Sequence, residues 1–354
     1  MDIRIEKATT FKQKPAAGIE LGFGNYFTDH MFIADYEEGK GWHDARIVPY
    51  QPLSLDPSVQ VFHYAQEVFE GLKAYKSEDG RTLLFRPDQN AARMRESCAR
   101  ICLPEVPEDL FVEAVSTLVK LEEDWIPREK GTSLYIRPFV IATDSFLGIR
   151  IPKKASFIII MSPVGNYYPE GLNPVKIWVE DEYVRAVRGG TGAAKVGGNY
   201  AASLLATKIA HEAGFTQVLW LDGQERKYIE EVGSMNIFFK INGTIIAPAL
   251  NGTILPGITR KSCLELIRSW GMPVEERKLS LDEVIEAAEN GTLEEIWGSG
   301  TAAVISPVGM IHCRGKNYTV QDGGIGEVSQ KLYDSITGIQ QGRMEGPEGW
   351  VREL

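Results

Sequence analysis

The stretch GGTGAAKVGGNYAAS, residues 189–203, surrounds a single lysine, Lys195, with glycines. Two chemistries use a lysine in such a setting. The first is phosphate binding. A phosphate-cradling loop needs G-x-x-x-x-G-K-[ST] between strand and helix, with the hydroxyl on magnesium. Here Ala194 precedes Lys195 and Val196 follows it, so that hydroxyl is missing. The dinucleotide fingerprint G-x-G-x-x-G fails as well, because Gly190-Thr191-Gly192 runs into Ala193, Ala194 and Lys195. The second chemistry is covalent. An amine that forms an imine must be neutral for part of the cycle, and apolar, crowded surroundings lower its pKa. Ala193, Ala194 and Val196 offer no counter-charge, while Gly197 and Gly198 leave room for a flat ring. Tyr200, five residues on, could donate a hydrogen bond to a phenolic oxygen of that ring. On this stretch alone, a solvent-exposed lysine on a glycine-rich loop stands as an equal alternative.

Three further stretches bear on the choice. EEVGSMNIF places Glu231 just before an expected strand. A pyridoxal phosphate ring acts as an electron sink when its nitrogen stays protonated, and a carboxylate partner keeps it so. LPGITRKS puts Pro256-Gly257 before a helix starting near Ile258 and Thr259, whose free N–H groups and dipole make an anion site. WGSGTAAV supplies a second glycine-rich turn, with the Thr301 hydroxyl in reach of a phosphate or carboxylate. Singly, these read as a surface glutamate, a helix cap and a strand turn. Together they gather an amine, a carboxylate and two anion sites in one half of the chain.

The elements that must position these groups follow from pattern. HMFIADYEEGKGWHDARIVPY reads as a hairpin around Glu38-Gly39. QVFHYAQEVFEGLKAYKSEDGRTLLFRP reads as a strand, a helix-like turn ending at Gly71 and a hairpin around Asp79-Gly80. DQNAARMRESCARICLP is a helix with Asp88 as its expected N-cap and Pro104 beyond its end. In EDLFVEAVSTLVKLEEDWIP, Phe111, Val115, Leu118, Val119 and Glu122 follow a 3.6-residue period, four apolar positions and then a charge. TSLYIRPFVIATD, ASFIIIMSPVG, TQVLWLD, SMNIFFKI and NGTIIAP are strands, the last after an Asn242-Gly243 turn. AASLLATKIAHEAG, TRKSCLELIRSWG, LDEVIEAAENG and GEVSQKLYDSITGIQQG are helices. LEEIWGSGTAAVISPVGMI is a strand pair joined or interrupted at Gly298-Ser299-Gly300. Residues 1–18 lack periodicity and are expected to be loosely ordered. Helices and strands mix without strict alternation, so a mixed α/β (α+β) architecture is favoured over a doubly wound parallel sheet. Two domains are expected, 1–165 and 177–354, joined by the Pro- and Gly-containing segment 166–176.

Composition narrows the partners. The 354 residues carry a net charge of −10, which argues against a nucleic-acid backbone. No apolar run reaches the roughly 18 residues that span a bilayer. The start of the sequence lacks a signal-peptide core, and a cytoplasmic location is expected. Cys98 and Cys102 are expected on one face of a helix. With five histidines, none adjacent, buried free thiols are expected and no metal site.

GGTGAAKVGGNYAAS, EEVGSMNIFF, LNGTILPGITRKS and WGSGTAAVISPVG together resemble the fold-type IV pyridoxal-phosphate enzymes, and most nearly the branched-chain amino acid aminotransferases. FGNYFTDHMF, FHYAQEVFEGLKAY, LFRPDQNAARM and YIRPFVIATDSFLG extend the resemblance from about Gly22 to the last helix. It implies a D-amino acid aminotransferase-like fold, with a smaller N-terminal α/β domain and a larger C-terminal domain of barrel-like sheets. It implies that Lys195 bonds covalently to pyridoxal 5'-phosphate, that Tyr200 contacts the ring oxygen and that Glu231 contacts the ring nitrogen. Arg93, Ile258, Thr259 and Thr301 then match the phosphate site. Tyr64, Phe69, Tyr135, Arg137 and Tyr167 match the substrate pocket. Thr301 and Ala302 match the turn on the α-carboxylate, and Leu147 and Ile149 a loop closing the neighbouring subunit's pocket. The implied activity is transfer of the amino group of leucine, isoleucine or valine to 2-oxoglutarate, in a homodimer. D-amino acid aminotransferase and aminodeoxychorismate lyase are the alternatives on the same fold. Mammalian members carry a redox C-x-x-C after the Gly-Thr-Ala turn; here those places read Ala303 and Ser306, so no thiol switch is expected there.

Overall fold

The computed structural model describes residues 1–16, 18–165 and 172–354. Tyr167 and residues 166–171 of the expected linker lie outside the described residues. The chain forms two compact units: Met1–Tyr167 with Ala194–Gly197 and Gly338–Leu354, and Tyr168–Ala193 with Gly198–Thr337. Lys195 thus groups with the amino-terminal unit, although it follows the first strand of the other, Val175–Glu180.

The first unit is built on a nine-stranded sheet. At its centre, Lys154–Val164 pairs antiparallel with His30–Glu37 on one side and Ser133–Ala142 on the other. The apolar run SFIIIMSPV needs two covered faces, and it has them. Phe157, Ile159 and Met161 join the cluster under the helices, whereas Ile158 and Ile160 pack with Met31, Val48 and Ile141 on the opposite side. Helices Pro87–Arg100 and Glu108–Leu121 supply the first face through Met94, Cys98, Phe111, Val115, Leu118 and Val119.

The helical stripe continues to Glu122, which is buried and hydrogen-bonds His30 Nδ1. His30 Nε2 accepts the Ala8 N–H at 2.8 Å, and Arg4–Ile5 pairs with Arg46 and Ile47. The amino-terminal residues are therefore tied down, by partners far along the chain that local periodicity does not register.

Four local expectations are corrected. Asp88 lies inside the first turn; the N-cap is Arg86, because Pro87 occupies the first helical position that its fixed φ suits. The helix ends at Arg100, and Cys102 adopts φ 57° and is exposed, so the two thiols do not share a face; Cys98, Cys263 and Cys313 are free and buried. The short helix Gln60–Tyr64 precedes the strand Glu67–Phe69 rather than following it, since Glu67 and Phe69 pair with Ile141 and Phe139. After the last helix, Glu327–Gln340, the chain adds an unforeseen strand, Val351–Glu353, beside Leu83–Phe85.

In the second unit six strands close on themselves: Val175–Glu180, Gln217–Leu221, Ile229–Val232, Met235–Ile241, Leu293–Gly300 and Val304–Cys313. The ring is sealed by Glu231↔Asn236 and Val232↔Met235. This closed barrel is the expected barrel-like sheet. Thr244–Pro248 follows a turn with φ 49° at Asn242 and 73° at Gly243, the left-handed pair that a tight hairpin selects. Leu281–Glu289 begins on Ser280, whose hydroxyl accepts the Glu283 N–H at 3.2 Å. Two details differ from the sequence reading. Glu231 lies just before the strand Met235–Ile241, as expected, but within a further short strand, Ile229–Val232, that the pattern did not show. Gly298-Ser299-Gly300 stays in strand, because it is paired on both sides, with Asn236 and Ile237 and with Val304, Ile305 and Ser306, and the turn falls at 301–303. Among the described residues no helix is long and apolar enough to cross a membrane.

Candidate active site

In the first unit the Lys195 turn is pinned from both sides. Ala194 and Val196 enter the hydrophobic cluster, and Val196 bridges to Val68. Lys195 N–H donates to Ser97 Oγ at 2.9 Å, and its carbonyl accepts the Phe69 N–H at 3.0 Å. The side chain keeps some accessible surface, but protein atoms hem in its amine. The pKa is lowered to about 8, chiefly by loss of water and then by Arg93; Glu70 and Tyr135 oppose this, and Arg137 adds a smaller push downward. The nitrogen lies 4.6 Å from the Phe69 ring centre. This removes the solvated-loop alternative.

Arg93 comes from the helix Pro87–Arg100 and is buried. Its Nε and Nη2 donate to the two oxygens of Glu70 at 2.7 and 2.8 Å. Glu70 is fully buried and also accepts Asn90 Nδ2 at 2.7 Å and the Gly71 N–H at 3.1 Å. Burial favours its neutral form, yet Arg93 and these donors hold its carboxyl below the usual carboxylate range. Sequence reasoning named Arg93 and missed Glu70. The signal was an acid set between apolar Phe69 and Leu72, which seldom occurs without a buried cation.

Three expected pocket residues also meet in this unit. Arg137 Nη2 donates to the Tyr135 hydroxyl at 3.2 Å, and its guanidinium lies 4.8 Å from the Phe69 ring centre and 5.3 Å from that of Tyr135. Phe23 packs edge-on against Tyr135 at 4.8 Å. It too was missed, although Gly22 and Gly24, both at positive φ, bracket it. Tyr64 donates its hydroxyl to the Leu147 carbonyl at 2.5 Å, joining two expected residues; Leu147 and Ile149 are exposed.

In the second unit Glu231 is buried, and its Oε1 accepts the Leu255 N–H at 2.7 Å, with Arg185 Nη2 at 3.3 Å. Tyr200 is half-buried on the short helix Gly197–Ala201. Gly257 is the N-cap of Ile258–Ser269, with no side chain bonded there, so the first-turn N–H groups have no intrahelical partner. Thr259 is buried in that turn. A Cβ at Gly257 would come 1.9 Å from Asn236 Oδ1, and Asn236 pairs in register with Ser299. Ser299 Oγ is buried without a hydrogen-bond partner among the described residues. Thr301 and Ala302 form the turn that follows, and it exits through Val304 at φ 62°. A β-branched residue in that region costs about 1–3 kcal/mol, a strain that concentrates at functional turns.

Each unit by itself holds groups of the kinds pyridoxal 5'-phosphate requires: in one a desolvated amine and a buried arginine, in the other a buried carboxylate, an uncapped helix N-terminus and a buried hydroxyl with no partner among the described residues. Residues 67–311 match the family model of the class IV amino-transferases. The chain belongs to that family. It stands among the family's branched-chain-amino-acid members. It is 59% identical over 353 residues to branched-chain-amino-acid transaminase 1 of Bacillus subtilis, covering 99% of each chain. It is 48% identical to the branched-chain-amino-acid aminotransferase of Mycobacterium tuberculosis, covering 99% of this chain and 97% of that one. Among solved structures, the Escherichia coli branched-chain amino acid aminotransferase superposes with a TM-score of 0.77 at 26% identity, covering 91% of this chain and 98% of that one. The T.th. branched-chain amino acid aminotransferase complexed with N-(5'-phosphopyridoxyl)-L-glutamate superposes at 0.73 and 25% identity, covering 90% and 97%.

Proposed function

We propose that this protein is a branched-chain-amino-acid transaminase that moves the amino group of L-leucine, L-isoleucine or L-valine to 2-oxoglutarate in two half-reactions. The observation that carries the reading is the Lys195 amine, held near pKa 8 beside a wall made of Phe69, Tyr135 and Arg137. Pyridoxal phosphate, when bound, supplies an electron-withdrawing ring that makes the substrate's Cα–H acidic. Lys195 would hold the cofactor and, in its neutral form, which a pKa near 8 keeps accessible at physiological pH, take and return the Cα proton. Glu231 would partner the ring nitrogen and Tyr200 the ring oxygen; Arg93, Ile258, Thr259 and Thr301 would hold the phosphate. Phe69, Tyr64, Tyr135 and Tyr167 receive the aliphatic side chain and shed its water. Arg137 binds the distal carboxylate of glutamate, since its planar fork suits bidentate pairing. Thr301 and Ala302 hold the α-carboxylate.

The protein acts in the cytoplasm as a homodimer. The exposed apolar run Phe146, Leu147, Ile149 and Ile151 supports the dimer, in which Leu147 and Ile149 would close the neighbouring subunit's pocket. The division of labour follows the expected domains: residues 1–165 carry the substrate side and residues 177–354 the cofactor's acid and phosphate turns. A substrate panel on purified holoenzyme tests the reading. L-leucine with 2-oxoglutarate should be turned over at least about 100-fold faster than D-alanine or aminodeoxychorismate. A preference for either of the latter two would overturn it.

A further inference from the structure

A single pocket that takes both leucine and glutamate faces an electrostatic problem. A guanidinium placed to bind a carboxylate stays charged when an aliphatic side chain occupies the same space, and an uncompensated charge away from water is costly. In the first unit a second acid lies within reach of this problem. Glu67 shares a sheet face with Phe69 and Arg137: Glu67 pairs with Ile141 and Phe69 with Phe139, four and two positions along the strand that carries Arg137. Its carboxylate rests against the Lys195 turn, where a Cβ at Gly197 would come 1.7 Å from Glu67 Oε1. With glycine at 197 the carboxylate keeps this place; a side chain there would displace it.

Both groups are under-used. Among the described residues the Glu67 carboxylate makes no hydrogen bond or ion pair. Arg137 bonds only the Tyr135 hydroxyl, and its Nε is buried without a partner. The two charges act on each other through space without touching. Burial holds the Glu67 carboxyl above the usual carboxylate range, with Arg137 partly offsetting this. An acid so placed sheds its charge readily when another carboxylate arrives.

Resting on the proposed transaminase reading, the geometry points to Glu67 as a specificity-determining residue, an internal stand-in for the glutamate side chain. With leucine bound, Glu67 supplies the counter-charge for Arg137. With glutamate bound, the substrate carboxylate takes that place and Glu67 is displaced as a partner. Glu67 therefore favours aliphatic substrates and competes against acidic ones. The two half-reactions call for opposite charge balance in one space, and the Glu67–Arg137 pair provides both.

The test follows each half-reaction separately, through the change in the cofactor's visible absorbance when holoenzyme meets L-leucine or L-glutamate. Glu67→Gln keeps the shape and removes the charge. It should raise the apparent Kd for leucine about fivefold and lower that for glutamate by a similar factor, the scale of a partly exposed ion pair. In an Arg137→Leu background the same change should move neither value by more than about twofold, because the coupling is gone. A merely structural role would shift both substrates in one direction and persist without Arg137; either result overturns the proposal. If wild-type holoenzyme fails to react with leucine, the transaminase reading falls first and takes this inference with it.

Discussion

Two lysines of the first unit have the same depressed basicity and very different surroundings. Lys73, in the strand Leu72–Lys76, is buried, and burial brings its pKa down to about 8. Lys195 reaches about 8 by the same desolvation, but Arg93, Glu70, Tyr135 and Arg137 all act on it as well. A lowered pKa therefore does not mark a catalytic amine. Burial makes an amine neutral; neighbouring charges make its neutrality adjustable by whatever binds next to it. Lys73 stands opposite Tyr135 in the register, so distance in the sheet does not separate the two. The separation lies in the loop that delivers Lys195 to the edge of an acid–arginine network.

The comparison can be broken most forcefully at Lys195. Lys195→Ala should lower transamination by about 10⁴-fold or more, because both cofactor attachment and proton transfer are lost. Residual turnover within about tenfold of wild type, in a coupled glutamate assay, would move the chemistry elsewhere. Glu70→Gln probes the network around it. With one charge gone, Arg93 loses its counter-ion, and cofactor retention on dialysis should fall about tenfold. Unchanged retention would leave Glu70 with a packing role only.

Lys73→Met should produce the smallest effect, with turnover within about threefold of wild type. Its signature is in stability. Between pH 8 and 10.5 the native chain holds Lys73 neutral while the unfolded chain holds it protonated, so unfolding takes up a proton and stability rises with pH across that window. The methionine variant should lose that rise, at most about 3 kcal/mol. Urea titrations of both holoenzymes at pH 7 and pH 10 measure it; an equal rise in both would show that Lys73 does not titrate there.

Much of the site was legible because its signals are local. Glycines around Lys195, the Pro256-Gly257 entry to a helix and the Thr301 turn are features of adjacent residues. Backbone freedom and uncapped N–H groups can be read from such neighbours. The residues that escaped notice carry no local signal. Glu70 looks like any acid in a turn until Arg93, on a helix that starts 17 residues later, folds over it. Phe23 and Glu67 are singled out only by their tertiary neighbours, Tyr135 for the one and Arg137 and Gly197 for the other. The misplaced turn has the same origin: Gly298 looks like a turn until Ile237 and Ser306 pair on either side of it.

The sequence by itself determined which residue types were available for the chemistry, the amine, the acid and the two anion turns, since each depends on neighbours a few bonds away. Tertiary structure alone decided that the amine is desolvated and that its charges are balanced. It also decided that a closed ring of six strands holds the acid Glu231. Desolvation and charge balance depend on groups brought together from distant positions, and no short-range pattern encodes the energy of bringing them there.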